Sequence, residues 1–216
     1  MRLILASTSP RRKELLAFLQ VPFEVVAPTF IEHVSQGLAP GEQAELFAKE
    51  KSRSCAGRLP GDLVLASDTL IAVDQAIFGK PEDLAEAERM LRRLRGREHL
   101  IYTAVALRRE VDGVEEMAVE TVQVRMRAFS EQELQDYLQA GEGMGKAGGY
   151  SIQGMGGRLI ERIDGDYTAA VGLPLRLVAE LLRKHGLAVP IDVERLYRTK
   201  PYPNWERFAP QSRAGG

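Results

Sequence analysis

The 216-residue sequence has very few of the side chains that build disulfide-rich or zinc-binding proteins. Cys55 is the only cysteine, which excludes an internal disulfide and a cysteine-based zinc site. The only histidines are His33, His99 and His185, and their scattered positions do not have the spacing of zinc ligands. Structural metal binding through sulfur or imidazole is therefore not expected.

Long apolar runs and an excess of charge of one sign are also missing. The longest runs, among them Leu63 to Ala66 and Leu70 to Val73, are far too short to span a bilayer. The apolar stretch at the amino terminus is too short for the core of a signal peptide. Lys and Arg total 29 against 30 Asp and Glu, a formal net charge of −1, which excludes the positive field of a general nucleic-acid binder. We therefore expect a cytoplasmic protein that binds neither nucleic acid nor membrane.

What is present is an alternation of apolar runs and helix signals, which is typical of an α/β protein. No internal repeat or clear linker divides the chain, so we predict one domain over residues 1–189 and a C-terminal tail over residues 190–216. The tail is rich in Pro and Arg and carries three aromatic residues, which leaves three alternatives: disorder, docking on the body, or docking on a second subunit. Predicted strands are Leu3 to Ala6, Phe23 to Val26, Leu63 to Val73, His99 to Arg109, Met117 to Arg127 and about Leu159 to Ile163, and predicted helices begin at Pro10, Pro40, about Leu84, Ser130 and Pro174.

Three cationic residues occupy the first turn of a predicted helix, where positive charge is least favourable. Ser9 and Pro10 predict a helix start, and Arg11, Arg12 and Lys13 follow in its first turn. The helix dipole places partial positive charge there, so each cation costs about 0.3–1 kcal/mol where it is exposed. A bound anion would reverse that cost, and a strand–loop–helix start supplies backbone N–H groups for a phosphate. The alternative is a solvated basic turn.

Lys51 lies in the middle of an apolar helical stripe. At 100° per residue, Ala44, Phe47, Ala48 and Cys55 share the face on which Lys51 falls. A lysine in that position either extends its ammonium to the edge of the stripe or directs it into a polar site. The sequence leaves both alternatives open.

Asp68 interrupts a predicted strand, Leu63 to Val73, that is otherwise almost wholly apolar. An unpaired carboxylate in a core is costly, so a buried Asp68 needs a cation, a metal or strong hydrogen-bond donors. The alternative is a surface position paired with an arginine. Together with Lys51, Lys80 and the basic helix start, a buried acid favours a site for polyphosphate with a divalent cation, because lysines bind phosphate as point charges and carboxylates hold Mg²⁺.

Several ordered blocks of the chain resemble the Maf family of nucleoside triphosphate pyrophosphatases, and the resemblance extends from Leu3 to about Gly186. The blocks are LASTSPRR from Leu5 to Arg12 followed by Glu14-Leu-Leu16, SDT at 67–69, GKP at 79–81, TAV at 103–105, KAGGYSIQG at 146–154, GDY at 165–167 and VGLP at 171–174. The resemblance implies a mixed twisted sheet flanked by helices, akin to the inosine-triphosphatase-like fold, with a cleft between two lobes. It also implies a divalent cation, Mg²⁺ or Mn²⁺, and makes a homodimer plausible.

The same resemblance implies hydrolysis between the α- and β-phosphates of a nucleotide, giving a monophosphate and pyrophosphate. Carried over by position, the proton acceptor of the family falls on Asp68. Its phosphate-handling positions fall on Ser7, Arg11, Arg12, Lys51 and Lys80, and its further acid falls on Glu32, where the loop has one acid instead of two adjacent ones. Asp68 and Glu32 are the expected metal ligands, and sequence does not divide the roles of base and ligand for Asp68.

Substrate choice within the family depends on three positions, which are Arg11, Thr69 and Gln153 here. This combination is similar to the subgroup that acts on dTTP and UTP and differs from the sister subgroup that acts on 7-methyl-GTP. The amide of Gln153 can read a pyrimidine edge through one donor and one acceptor. The resemblance further suggests cleansing of the nucleotide pool and a role in cell-division arrest. A nucleotide-binding regulator of septum formation with little turnover is the alternative.

Overall fold

The fold is built on one seven-stranded mixed sheet, seen in a computed structural model that describes residues 1–56 and 61–208. Six strands follow the order β2-β1-β3-β5-β6-β7, and β4 pairs with β3. The predicted mixed sheet flanked by helices is confirmed. The strands are β1 Leu3–Ala6, β2 Phe23–Val26, β3 Leu63–Val73, β4 Ala76–Phe78, β5 Glu98–Arg109, β6 Val114–Met126 and β7 Ile160–Asp164, and the helices are α1 Pro10–Ala17, α2 Pro40–Ala56, α3 Leu84–Leu94, α4 Glu131–Gln139, α5 Tyr167–Val171, α6 Leu175–Lys184 and α7 Val193–Thr199.

The strand β3 is the centre of the sheet and is covered on both faces. It runs parallel to β1 and antiparallel to β5. Its alternate residues belong to two separate cores: Val64, Ala66 and Leu70 pack with α2, whereas Leu65 and Ile71 pack in the larger core with apolar residues of α1, α3, α4 and α6. Burial on both faces explains its nearly continuous apolar sequence.

A gap opens in the sheet beside the middle of β3. β1 ends at Ala6, which lies opposite Ala66, and on the same side β4 pairs with β3 only from Ile71 to Val73, so residues 67–70 of β3 have no partner strand there. Because side chains alternate between the two faces of a strand, Asp68 points to the face covered by α2, and Thr69 points to the opposite face. Both faces meet at the gap, which positions polar side chains from two layers around one opening.

Local signals account for most of the helix boundaries. Ser130 and Glu133 form the predicted capping box at the start of α4. Gly96, just after α3, has a φ of +68°, the left-handed conformation that ends many helices. No helix among residues 1–56 and 61–208 is long and apolar enough to cross a membrane.

The C-terminal segment, defined here as Asp192–Phe208, packs on the body of the protein. It contains α7 and a 3-10 helix, Glu206–Phe208. Trp205 stacks on Tyr167 with ring centroids 5.6 Å apart and an interplanar angle of 13°, and it meets Tyr197 edge to face. Of the three alternatives for the tail, docking of its aromatic residues on the body is observed up to Phe208, and residues 209–216 lie outside the described residues.

Candidate active site

A cleft of about 830 Å³ opens at the gap beside β3. It is lined by the loop between β1 and α1, by β3, by the glycine-rich loop of residues 141–157 and by the C-terminal segment. The fold brings every sequence-predicted site residue to this cleft. The residues predicted for catalysis and metal binding are Glu32, Lys51, Asp68 and Lys80, and those predicted for substrate binding and specificity are Ser7, Arg11, Arg12, Thr69 and Gln153.

The ammonium of Lys51 joins two carboxylates on the floor of the cleft. Its Nζ lies 2.5 Å from Glu32 Oε1 and also contacts Asp68 Oδ1. Lys51 is 7% exposed and Asp68 is 4% exposed, so this is a buried ion pair with one further acid at its rim. The sequence left open whether the Lys51 ammonium would reach the edge of its stripe or a polar site, and it enters the polar site.

Glu32 is held ionised by the cations around it. Burial opposes its ionisation, but the hydrogen bond and charge of Lys51 outweigh burial, with added contributions from Lys80 and Arg12, and they lower the pKa of Glu32 below its ordinary value. Glu32 therefore carries a negative charge at neutral pH. The site thus contains two carboxylates that share one ammonium.

The second carboxylate oxygen of Asp68 is an atom of the cleft that is suited to bind a metal ion. Asp68 Oδ2 is buried and has no hydrogen-bond partner in the protein, although an ionised carboxylate accepts strongly. An oxygen of this kind suits a divalent cation or a water molecule. Within residues 1–56 and 61–208 no group of three or more His, Cys, Asp and Glu side chains could hold a metal ion. A Mg²⁺ ion here would take one or two carboxylates and complete its shell with water and phosphate oxygens, as Mg²⁺ commonly does.

The basic start of α1 faces the cleft. The helix is capped at Ser9 without a side-chain hydrogen bond, and its first turn contains no acidic residue. Arg12 is fixed by neutral acceptors, because its Nε donates to Gly172 O at 3.0 Å and its Nη2 donates to Thr69 Oγ1 at 3.2 Å. Burial lowers the pKa of Arg11 and of Arg12, yet a guanidinium remains protonated. A basic helix start of this kind is suited to an anion, and phosphate binding here stays a prediction.

The glycine-rich loop also lines the cleft, and its packing needs its glycines. A Cβ on Gly154 would lie 2.2 Å from Glu142 Oε1, and a Cβ on Gly143 would lie 2.0 Å from the carbonyl oxygen of Gly149. The close packing places Glu142, Lys146 and Gln153 on the cleft. Glu142 Oε1 is buried without a hydrogen-bond partner.

Several cleft residues were not predicted as site residues, among them Glu14, Glu142, Lys146 and Tyr202. Glu14, Glu142 and Lys146 stand inside or beside the motif blocks, so the blocks themselves were the signal that could have identified them. Tyr202 is different, since it belongs to the C-terminal segment and is surrounded by Pro and Arg residues that give no functional signal. Its hydroxyl contacts both Glu14 and Gln153.

Known proteins match this chain over most of its length. The family model described as "Maf-like protein" matches residues 2–185. The dTTP/UTP pyrophosphatase of Symbiobacterium thermophilum is 46% identical over 189 residues, which cover 87% of this chain and 96% of that protein. The dTTP/UTP pyrophosphatase of Vibrio cholerae is 41% identical over 184 residues, covering 85% and 97%. The structure of the Staphylococcus aureus Ham1 protein matches with a TM-score of 0.41 and 17% identity over 59% of this chain and 73% of that chain. On the family match and the identity to these relatives, the chain belongs to the Maf family.

Proposed function

We propose that this protein is a nucleoside triphosphate pyrophosphatase that hydrolyses dTTP and UTP to the nucleoside monophosphate and pyrophosphate. The observation that carries the proposal is the buried Lys51–Asp68 pair, which faces a basic helix start across one cleft. Relatives with that activity in their names are 41% and 46% identical over most of the chain, which supports the same reaction and substrates here.

In this proposal Asp68 is the proton acceptor. A water molecule held by the unpartnered Oδ2 would attack the α-phosphorus, form the new P–O bond and give its proton to the carboxylate. The bond between the α-phosphorus and the bridging oxygen breaks, and pyrophosphate leaves with the electron pair. Lys51 would orient the Asp68 carboxylate for this step through their buried contact.

The cations of the cleft would stabilise the charge that develops on the leaving pyrophosphate. Arg11 and Arg12 approach from the start of α1, and Lys80 approaches from the loop after β4. Fixed charges placed where negative charge develops are a large source of catalysis, because they need no reorganisation during the reaction. Ser7, which is buried beside them, would contribute a hydroxyl to the same phosphates.

A divalent cation, Mg²⁺ or Mn²⁺, is part of the proposal. Asp68 and Glu32 are the residues that would hold it. When bound, the ion would neutralise phosphate charge and polarise the phosphoryl oxygens. The base would lie beside Gln153, whereas Thr69, the other residue of substrate choice on β3, accepts a hydrogen bond from Arg12 and lies nearer the phosphates.

The test is to incubate the purified protein with dTTP, UTP or 7-methyl-GTP in the presence of Mg²⁺ or Mn²⁺ and to assay for pyrophosphate. We expect release from dTTP and UTP well above a protein-free control and less release from 7-methyl-GTP. Binding of dTTP without pyrophosphate release, with either ion, would instead indicate a nucleotide-binding regulator. Orthophosphate without pyrophosphate would contradict cleavage at the α-phosphorus.

A further inference from the structure

Tyr202 brings a side chain into the cleft from outside the family-matched region. The family match ends at residue 185, whereas Tyr202 lies in the C-terminal segment. The side chain is 5% exposed, and its ring meets Phe18 edge to face with centroids 5.9 Å apart. The ring is thereby fixed against α1, and its hydroxyl points into the cleft beside Gln153.

The hydroxyl of Tyr202 can form hydrogen bonds with both Glu14 and Gln153 in only one arrangement of donor and acceptor. It donates to Glu14 Oε2 at 2.7 Å and accepts a hydrogen bond from Gln153 Nε2. A phenol has a single proton and an ionised carboxylate can only accept, so the proton belongs to the bond with Glu14. Burial, together with the hydrogen bond to Glu14, raises the pKa of Tyr202, so the phenol keeps this proton at neutral pH.

This chain of hydrogen bonds fixes the orientation of the Gln153 amide. If the amide rotated by 180°, its oxygen would face a hydroxyl oxygen whose proton is already committed to Glu14, and two acceptors would oppose each other. The observed orientation leaves Oε1 and the second N–H of Nε2 for a ligand. The order of acceptor and donor along the amide edge is therefore determined by Glu14 through Tyr202.

The main chain around Gln153 is held by the same segment. Asn204 Nδ2 donates to Ile152 O at 2.9 Å and to Gly154 O at 3.3 Å, the carbonyls on either side of Gln153. Both the position of the backbone and the orientation of the side chain thus depend on residues 202–204. A glycine-rich loop has little stiffness of its own, so this support determines where the amide lies.

We propose that Tyr202 is a positioning residue which, with Glu14, makes Gln153 select uracil and thymine against cytosine; this inference rests on the proposed function. Uracil and thymine present a donor at N3 and an acceptor at O4, whereas cytosine presents an acceptor at N3 and a donor at N4. An amide in one fixed orientation can accept from N3–H and donate to O4 of uracil or thymine. With cytosine the same orientation would place acceptor against acceptor at N3 and donor against donor at N4. A freely rotating amide would match either pattern and would not discriminate.

The test compares kcat/KM for UTP and CTP in the full-length protein and three variants. Tyr202→Phe keeps the ring on Phe18 and removes only the hydroxyl. Glu14→Gln keeps Tyr202 and replaces the obligatory acceptor with an amide that can donate or accept. Tyr197→Phe is the matched control, because Tyr197 lies in the same segment and bonds to a carboxylate, Asp166, at 2.7 Å, but does not line the cleft.

We expect the wild-type protein to prefer UTP, and Tyr202→Phe to reduce the UTP/CTP ratio of kcat/KM by at least about tenfold, partly through a gain with CTP. Glu14→Gln should reduce the ratio in the same direction, and Tyr197→Phe should leave it unchanged. A gain with CTP identifies positioning, because a loss of structure alone would lower both values together.

Three results would overturn the inference and leave the proposed function standing. These are equal use of UTP and CTP by the wild-type protein, an unchanged ratio in folded Tyr202→Phe, and a parallel loss with both nucleotides. Absence of pyrophosphate release from every nucleotide by the wild-type protein is a different result, because it would reject the proposed function and the inference with it.

Discussion

At the scale of single residues, the Lys51 ammonium and the two carboxylates that contact it have a formal net charge of −1. One ammonium faces two carboxylates, Glu32 and Asp68, and the Asp68 carboxylate still has an oxygen without a partner. Breaking a buried pair by removing one charge usually destabilises, because the other charge is left alone. Lys51 would not be left alone by a change at Asp68, since Glu32 remains at 2.5 Å.

The variant Asp68→Asn should therefore fold and lose activity. The amide keeps the shape and one oxygen but cannot accept a proton, so we expect turnover of dTTP and UTP to fall by at least ~10². Pyrophosphate release at saturating nucleotide is the measurement, and thermal unfolding checks the fold. Asp74→Asn is the control, because Asp74 is an exposed acid just beyond the same strand. Activity near the wild-type level in folded Asp68→Asn would end the assignment of Asp68 as the proton acceptor.

His99 should make stability depend on pH below neutrality. It is buried, its Nε2 lies 2.7 Å from the hydroxyl of Tyr150, and its Nδ1 has no partner. Burial lowers the pKa of His99 to about 4, whereas an unfolded histidine titrates near 6.5. Between these values the unfolded chain binds the extra proton, so the stabilisation present above pH 6.5 is lost as the pH falls towards 4.

The measurement is the free energy of unfolding in urea at pH 7 and pH 5 for the wild-type protein and His99→Phe. We expect the wild-type protein to lose about 2 kcal/mol more than the variant over this interval. The comparison removes the contribution of the carboxylates, which both proteins share. Equal losses in the two proteins would show that His99 is not the titrating group.

At the scale of elements, the C-terminal segment is held by its aromatic residues. Trp205 is buried between Tyr167 and Tyr197. We expect Trp205→Ala to lower the free energy of unfolding by about 3 kcal/mol, in the range of large-to-small core changes. Glu206→Ala, an exposed neighbour in the same 3-10 helix, is the control and should change stability by less than about 0.5 kcal/mol. Denaturant unfolding measures both, and a similar small effect of the two substitutions would contradict the role of the stack.

The elements that the sequence predicted are those with long, regular patterns. The apolar run of β3 and the capping box of α4 predicted their elements with bounds close to those observed. β4, α5 and α7 were missed, because three to seven residues contain too little periodicity to distinguish them from loops. Their positions depend on tertiary contacts, such as the pairing of β4 with β3.

Part of the candidate site was also predictable from the sequence, and part was not. Asp68 and Lys51 were identifiable because each is a charged residue in an apolar pattern, where burial requires a partner. The contact of Tyr202 with Glu14 was not predictable, since 188 residues separate them and only the folded chain brings them together. A local pattern indicates that a residue is out of place, but it does not identify a distant partner.

At the scale of the whole molecule, the cleft is lined by five Lys and Arg residues and four acids, a formal charge of +1 in a chain whose net charge is −1. In the proposal, Arg11, Arg12 and Lys80 form the phosphate region of the cleft. Pyrophosphate with Mg²⁺ should therefore stabilise the protein. At about 100 times its Kd, such a ligand contributes about 2.7 kcal/mol, which raises the Tm of a domain of this size by about 5–10 °C. Lys80→Ala should reduce this shift by at least half, because it removes one point charge from the phosphate region.

Thermal unfolding with and without pyrophosphate is the measurement. Lys13→Ala is the matched control, because Lys13 is an exposed lysine that does not line the cleft. An equal Tm shift in Lys80→Ala and Lys13→Ala would show that Lys80 does not contact the phosphates.

The two ends of the cleft rest on parts of the fold with different local stability. Asp68 lies on β3, which pairs with β5 from Val64 to Ala72 and is buried on both faces, so the β3 amides that bond to β5 should exchange hydrogen only on global unfolding. Gln153 lies on an irregular loop outside the sheet, held by side chains of the C-terminal segment, and we expect this loop to open at a lower free-energy cost than β3. In mild denaturant the protein should therefore lose its selectivity among nucleotide bases before it loses hydrolytic activity. Opening of the loop would displace Gln153 from the base, while Asp68 would stay in place on β3.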